Sequence, residues 1–372
     1  MENDVYYMKR ALELSKKGMG MVSPNPMVGA VIVNNGSIIG EGYHKYFGGN
    51  HAEINAMNNA REDLSGSTLY INLEPCCHYG KTPPCVNEII KAGIKRVVIS
   101  NRDPNPLVNG KSISYLKDKS IEVKQGVLKE DGLWMNRFYF KYMTKKLPYV
   151  IIKIAQTINA KIKNLNQNER WITSKESRTE VHRMRQEVDA ILIGKETAIK
   201  DNPGLTVRHV RGKDPRRVVL DPFLETTPDL KIYKDNNVIL FTRQDTDSDK
   251  IRRFKDMGIT VLRAGHEHAE RLLIQDVLKK LGEREISSVM VEGGAKIFSS
   301  FIKEEVFDEI VLFMAPKFYP IGLDVFDGTI LKQVDHLPEI IFRDIKKIST
   351  DIMIRCLLSD KNTKGTNVCL QE

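Results

Sequence analysis

The sequence predicts a two-domain α/β protein. Three observations carry that expectation. Helical and strand-like segments alternate along the chain, the alternation restarts after Pro148, and 372 residues exceed the roughly 100–200 of a single domain. In the first part, residues 4–18 place apolar side chains at helical spacing. MVGAVIV, Asn35-Gly36 and SIIGEG then read as strand, tight turn and strand. Next come a helix from Ala52 to Arg61, the strand TLYINLE, a helix from Pro84 to Ala92 closed by Gly93, and the strand KRVVIS. A weaker helix over 111–118, a strand over 120–125 and one aromatic, basic connecting helix over 131–147 complete this part. The second part opens with the strand YVIIKIAQ and continues with a helix over 174–186. Strands near 188–194, 216–221, 237–242, 259–263, 286–292 and 308–315 follow, separated by helical segments, which predicts a largely parallel sheet. The expected domains are 1–147 and 148–360, with 361–372 a disordered polar tail.

Composition narrows the function classes. The 41% hydrophobic residues and 25 glycines give a globular content, which excludes collagen, coiled coil and disorder for the chain as a whole. No apolar run approaches the ~18 residues of a membrane span, and MENDVYYMKR has early acids where a signal peptide needs an apolar region. A cytoplasmic protein is expected. Fifty-seven basic against 48 acidic residues give a net charge of +9, which favours anionic partners, nucleic acid or phosphorylated metabolites. Of the five cysteines, Cys76, Cys77 and Cys85 crowd into ten residues, poor material for a disulfide framework and better suited to a metal.

His51-Ala52-Glu53 opens one predicted helix, and Pro75-Cys76 and Cys85 bracket the entry to the next. One nitrogen and two sulfurs suit Zn²⁺. Three protein ligands with an open fourth position form the catalytic arrangement, in which bound water reaches a pKa near 7. Glu53, two residues past the histidine, can shuttle protons without being a ligand. Such a site can add hydroxide to an aminopyrimidine carbon and protonate the departing ammonia. Taken singly, His51 could be a helix cap and the cysteines small buried hydrophobes; the full set argues for a metal centre.

These motifs resemble the zinc-dependent cytidine deaminase superfamily. SPNPMVGAVIV (23–33), GEGYH (40–44), HAE (51–53), EPCCHYGKTPPC (74–85) and DPNPLVNGK (103–111) are similar, more narrowly, to the bifunctional riboflavin-biosynthesis deaminase-reductases. The resemblance implies a cytidine-deaminase-like αβα domain in which His51, Cys76 and Cys85 hold zinc and Glu53 shuttles protons. It also implies that Asn25, His44, His78, Lys81 and Asn105 line the substrate pocket; without it, Asn25 and Asn105 read equally well as Asn-Pro turn residues. Cys77 would stand beside the ligand set.

In the second part, Arg185 and Arg208 can each offer forked donors to a phosphate near Asp201, Asn202 and Pro203, although two surface arginines are the plainer reading. Glu292-Gly293-Gly294 after a strand could meet a cofactor phosphate or simply turn the chain. The resemblance continues through YVIIKIAQTINAK (149–161), residues 171–208, RRVVLD (216–221) and VEGGAKIFSSF (291–301), and implies a dihydrofolate-reductase-like α/β domain. By it, Gln156, Trp171, Thr197, Asp201, Thr242, Gly293 and Gly294 contact NADPH. Glu169, Arg185, Leu205, Arg208 and Glu292 contact the substrate, and Lys153 polarises the sugar group that receives hydride; on its own Lys153 is a solvated strand lysine. Relatives read Ser-x-Asp-Gly where this chain has Thr157-Ile158-Asn159-Ala160, and a small polar residue at Glu169. Asn159 removes a charge, and an inward Glu169 would repel a phosphate.

The implied function is hydrolytic deamination of a phosphoribosylamino-diaminopyrimidinone followed by NADPH reduction of its ribosyl chain to ribityl. The implied partners are this phosphorylated pyrimidine and a second copy of the chain, as homodimer or higher oligomer, with no nucleic acid and no membrane. A deaminase with a silent reductase-like domain is the alternative, and a nucleic-acid or nucleoside deaminase a more distant one.

Overall fold

Segments such as Gly29–Asn34 and Ala190–Gly194 are apolar and buried along nearly their whole length, as strands covered by helices on both sides must be. The computed structural model describes residues 2–79, 83–166, 171–267 and 271–359. The chain divides into two compact units, Met1–Leu147 with Glu285–Ser287, and Pro148–Arg284 with Ser288–Glu372.

The first unit contains α1 (Glu2–Ser15), β1 (Gly29–Asn34), β2 (Ser37–Tyr43), α2 (Ala52–Asn58), β3 (Thr68–Leu73) and α3 (Cys85–Lys91). It continues with β4 (Arg96–Asn101), α4 (Lys111–Asp118), β5 (Glu122–Gln125), α5 (Lys129–Met135) and α6 (Arg137–Lys145). Its sheet has the order β2-β1-β3-β4-β5, with β1 antiparallel to both neighbours and β3, β4 and β5 parallel. Ala52, Ala56, Val86, Ile89 and Leu116 pack on one face, and Met8, Ala11, Tyr70, Val98 and Val127 form the core of the other. Helices therefore cover both faces of the sheet. Gly42 lets α2 lie close on β2, because a Cβ there would stand 2.3 Å from Ala56 N.

One expectation is corrected here. The connecting segment 131–147 is not a single helix but ends α5 and forms α6, with Asn136 at the junction. The reason is a pair of bonds to the chain far upstream. Asn136 Oδ1 accepts Met27 N at 2.7 Å and its Nδ2 donates to Met27 O at 2.9 Å. The Asn72 carboxamide grips the same stretch, accepting Gly29 N and donating to Met27 O.

The second unit contains β6 (Tyr149–Thr157), β7 (Lys161–Asn164), α7 (Lys175–Glu187), β8 (Ala190–Gly194), α8 (Lys195–Asp201), β9 (Arg216–Leu220), β10 (Val238–Arg243) and α9 (Ser248–Lys255). Then follow β11 (Thr260–Ala264), β12 (His266–Glu267), β13 (Arg271–Leu272), α10 (Ile274–Gly282), β14 (Ser288–Gly293) and α11 (Ala295–Lys303). The last elements are β15 (Glu309–Ala315), β16 (Gly322–Asp324), α12 (Gly328–Leu331), β17 (Ile340–Ile348) and β18 (Asp351–Leu358). The main sheet runs β11-β10-β9-β8-β14-β6-β15-β18-β17, parallel from β11 to β15 and antiparallel beyond. The hairpin of β17 and β18 extends the parallel sheet that the sequence predicts. Among the described residues, no helix is long and apolar enough to cross a membrane.

Candidate active sites

In the first unit, two strand-to-helix connections bring the predicted metal set together. His51 is the N-cap of α2, Cys76 follows β3, and Cys85 is the first residue of α3. His51 Nδ1 lies 3.2 Å from Cys85 Sγ and 3.5 Å from Cys76 Sγ, and all three donor atoms fall within 4.8 Å of one another. Zinc bonds of about 2.0–2.3 Å in tetrahedral geometry need donors roughly 3.5–3.8 Å apart, so this nitrogen and these two sulfurs fit Zn²⁺. The Cys85 thiol beside Cys76, and then the His51 ring, pull Cys76 down to about 4 and so toward thiolate, the form that binds metal. The same pairing pushes Cys85 well above the usual thiol range and His51 up to about 9. Cys77 is turned elsewhere, toward Leu107 O at 3.6 Å, and lies outside the set.

Glu53, in the first turn of α2, is 3% exposed, and burial raises its carboxyl toward the range where it can both take and give a proton. His44 meets His51 edge to face at 5.6 Å between ring centres. Its Nδ1 donates to Asn50 O at 3.0 Å, leaving Nε2 bare to accept from Asn25 Nδ2 at 3.3 Å. Burial lowers its pKa, which keeps this neutral form. Asn25 and His44 are thus brought together beside the metal set. The bonds of Asn72 and Asn136 to Met27 fix the segment before β1 that carries Asn25.

Asn105 has the turn role that its Asn-Pro sequence allows, since its Oδ1 accepts Leu107 N at 3.1 Å. His78 Nδ1 is buried without a hydrogen-bond partner among the described residues. Lys81 and Glu169 lie outside the described residues, as does the tail beyond 359. Sequence reasoning missed Asp103, whose carboxyl burial raises to about 6 and whose Oδ1 accepts Tyr139 Oη at 2.8 Å. Asp-Pro-Asn-Pro was the available signal, read there through Asn105 alone.

The second unit gathers charged side chains at the ends of its central strands. Glu292, on β14, takes a two-pronged bond from Arg185 of α7 (Nε to Oε1 2.6 Å, Nη2 to Oε2 3.0 Å). Lys153 Nζ, from the adjoining β6, lies 3.2 Å from Glu292 Oε2. The Glu292 side chain is only 6% exposed. Burial opposes its ionisation, but Arg185 and Lys153 outweigh it and hold the carboxyl down at about 2. Arg185 also donates to Thr206 O at 3.1 Å, and Arg208 is exposed on the same segment. Leu205 is buried, with φ of +50°.

Thr197 stands against the glycine pair, its Oγ1 3.1 Å from where a Cβ of Gly293 would sit; Gly294, at φ +83°, caps α11. Asp201 is exposed at the end of α8, and Gln156 is half-buried near the end of β6. Trp171 is 47% exposed, with the Arg178 guanidinium 4.7 Å over its ring. Thr242 is fully buried and its hydroxyl is engaged with Pro222 O and Thr246 Oγ1. Asn159 ties the turn after β6, donating from Nδ2 to Tyr319 O at 2.8 Å and accepting Tyr319 N at 3.2 Å, a pairing a carboxylate could not complete.

Comparison with known proteins agrees with both halves. A family model described as cytidine and deoxycytidylate deaminase zinc-binding region matches residues 1–101, and one described as RibD C-terminal domain matches 148–354. The riboflavin biosynthesis protein RibD of Aquifex aeolicus is 42% identical over 354 residues, covering 95% of this chain and 98% of that protein. The chain belongs to the RibD family. RibD of Escherichia coli is 33% identical, across 94% of this chain and 98% of its own. The structure of a diaminohydroxyphosphoribosylaminopyrimidine deaminase/5-amino-6-(5-phosphoribosylamino)uracil reductase from Thermotoga maritima superposes with a TM-score of 0.85. That protein is 39% identical, and the match covers 96% of this chain and 99% of that one. As a RibD, the chain is a bifunctional deaminase and reductase of riboflavin biosynthesis, acting on a small-molecule pyrimidine with zinc and NADPH as cofactors.

Proposed function

We propose that residues 1–147 hydrolytically deaminate a diaminohydroxyphosphoribosylaminopyrimidine, and that residues 148–360 reduce the ribosyl chain of the resulting aminouracil with NADPH. The observation that carries the first half is a buried carboxyl, Glu53, two residues from a histidine whose Nδ1 lies within 3.5 Å of two cysteine sulfurs. His51, Cys76 and Cys85 would hold Zn²⁺, which supplies Lewis acidity and a water ionising near pH 7. Glu53 relays the two protons of the attacking water, one to the ring nitrogen beside the attacked carbon and one to the departing amino group, so that a C=O forms as the C–N bond breaks and ammonia leaves. Asn25, oriented by His44, presents its carboxamide to the ring; His78, Lys81 and Asn105 are assigned to the same pocket.

In the second half, bound NADPH would supply hydride to the ribosyl carbonyl carbon. Lys153, held by Glu292, donates a proton or hydrogen bond to the carbonyl oxygen, and Arg185 and Arg208 receive the phosphate, with Glu169 and Leu205 assigned to the substrate side. Thr197, Gly293, Gly294, Gln156, Trp171 and Asp201 are assigned to the cofactor. Thr242, buried at the end of β10, is assigned to the cofactor as well. The reading extends to a cytoplasmic homodimer or higher homo-oligomer that binds neither nucleic acid nor membrane.

Glu53→Gln separates the halves. Ammonia release falls by at least ~10²–10⁴-fold, the usual contribution of acid–base catalysis, while reduction of supplied deaminated substrate continues. Equal loss of both activities would refute the two-site assignment.

A further inference from the structure

The segment carrying Arg208 is gripped at three consecutive residues by side chains. Arg185 Nη1 donates to Thr206 O at 3.1 Å, Val207 N donates to Asp214 Oδ1 at 2.7 Å, and Arg208 N donates to His182 Nδ1 at 3.1 Å. His182 and Arg185 stand three residues apart on α7 and so share a face of it. Just before the gripped residues, Leu205 holds φ of +50°, a conformation unfavourable for an L-residue that surrounding structure must impose.

His182 is 5% exposed, and its ring packs edge-on against His209 with centroids 4.5 Å apart. Because Arg208 N is a donor, Nδ1 must be the bare nitrogen of a neutral ring. Burial disfavours the imidazolium, and the facing Arg185, His209 and Arg208 add to this against a smaller opposing pull from Glu292. Together they lower its pKa to about 4, so the acceptor is present at neutral pH. The result is an arginine whose backbone is fixed while its side chain is exposed. A guanidinium delivered from a fixed backbone loses less freedom when it binds an anion.

We infer that His182 is a positioning residue of the reductase site, whose Nδ1 fixes the backbone of Arg208 and thereby aims its guanidinium at the substrate phosphate. This rests on the reading of Arg208 as a phosphate contact. The test uses the full chain with saturating NADPH, comparing the phosphorylated aminouracil with the same compound lacking its phosphate. His182→Leu keeps bulk and removes the acceptor. It should raise KM for the phosphorylated substrate about tenfold, the usual effect of one lost hydrogen bond, with kcat changed less than about twofold. The phosphate-free compound should be reduced as well as by the parent enzyme. His182→Asn, whose Oδ1 can take the place of Nδ1, should bring KM back to within about threefold. Arg208→Ala serves as the reference and should raise KM more. If Arg208→Ala raises KM and His182→Leu does not, positioning by His182 is overturned while the phosphate reading stands. Losses on both substrates that His182→Asn does not repair also overturn it, as does an Arg208→Ala enzyme with unchanged KM, which removes the phosphate reading itself.

Discussion

Ala160 holds φ of +59° in the turn after β6, where its N–H bonds to Thr157 O and its carbonyl accepts Val325 N. A left-handed conformation costs an L-residue roughly 1–2 kcal/mol, whereas glycine enters it freely but with about 0.5–1 kcal/mol more entropy to lose. Ala160→Gly should therefore stabilise the second unit by about 0.5–1 kcal/mol and raise its melting temperature by roughly 2 °C. A melt that moves downward would mean that the turn does not require the left-handed conformation. The adjacent Asn159 looks in sequence like a lost charge. In the structure its amide completes a reciprocal bond pair with Tyr319, so the exchange is absorbed locally and leaves the Lys153, Glu292 and Arg185 cluster intact.

At the scale of elements, the break between α5 and α6 is made by one buried carboxamide. Asn136→Ala would strip Met27 N of its acceptor in a place where Asn136 is 2% exposed. Leaving a buried donor unpaired costs about 1–3 kcal/mol, and denaturant titration of the full chain should register that loss in the first unit. An unchanged midpoint would show that the bonds to Met27 do not hold the segment that carries Asn25. This element also marks where sequence reading stops. The strands of the parallel sheets were legible because burial on both faces makes them short, nearly continuous apolar runs. The metal set of His51, Cys76 and Cys85, with Glu53 beside it, was legible because these residues declare themselves by spacing. Asn136, Asp103 and His182 were not, because each is an ordinary polar residue whose role is set by a partner 109, 36 or 26 positions away. The hairpin of β17 and β18 was missed for a different reason: β17 is exposed along nearly all its length, so no inward and outward alternation appears in its residues.

For the molecule as a whole, two α/β units each build a chemical centre at strand ends and helix starts, one from soft metal donors beside a buried carboxyl and one from the buried ion cluster of Lys153, Arg185 and Glu292. The central claim is that one chain performs both steps on one phosphorylated pyrimidine. The most direct measurement loads the full chain with zinc, adds the phosphoribosylamino-diaminopyrimidinone, follows ammonia, and then adds NADPH and follows its absorbance. The account predicts one equivalent of ammonia per substrate and then one equivalent of NADPH oxidised. Ammonia release with no NADPH consumption would contradict it and make the second unit a catalytically silent partner of a working deaminase.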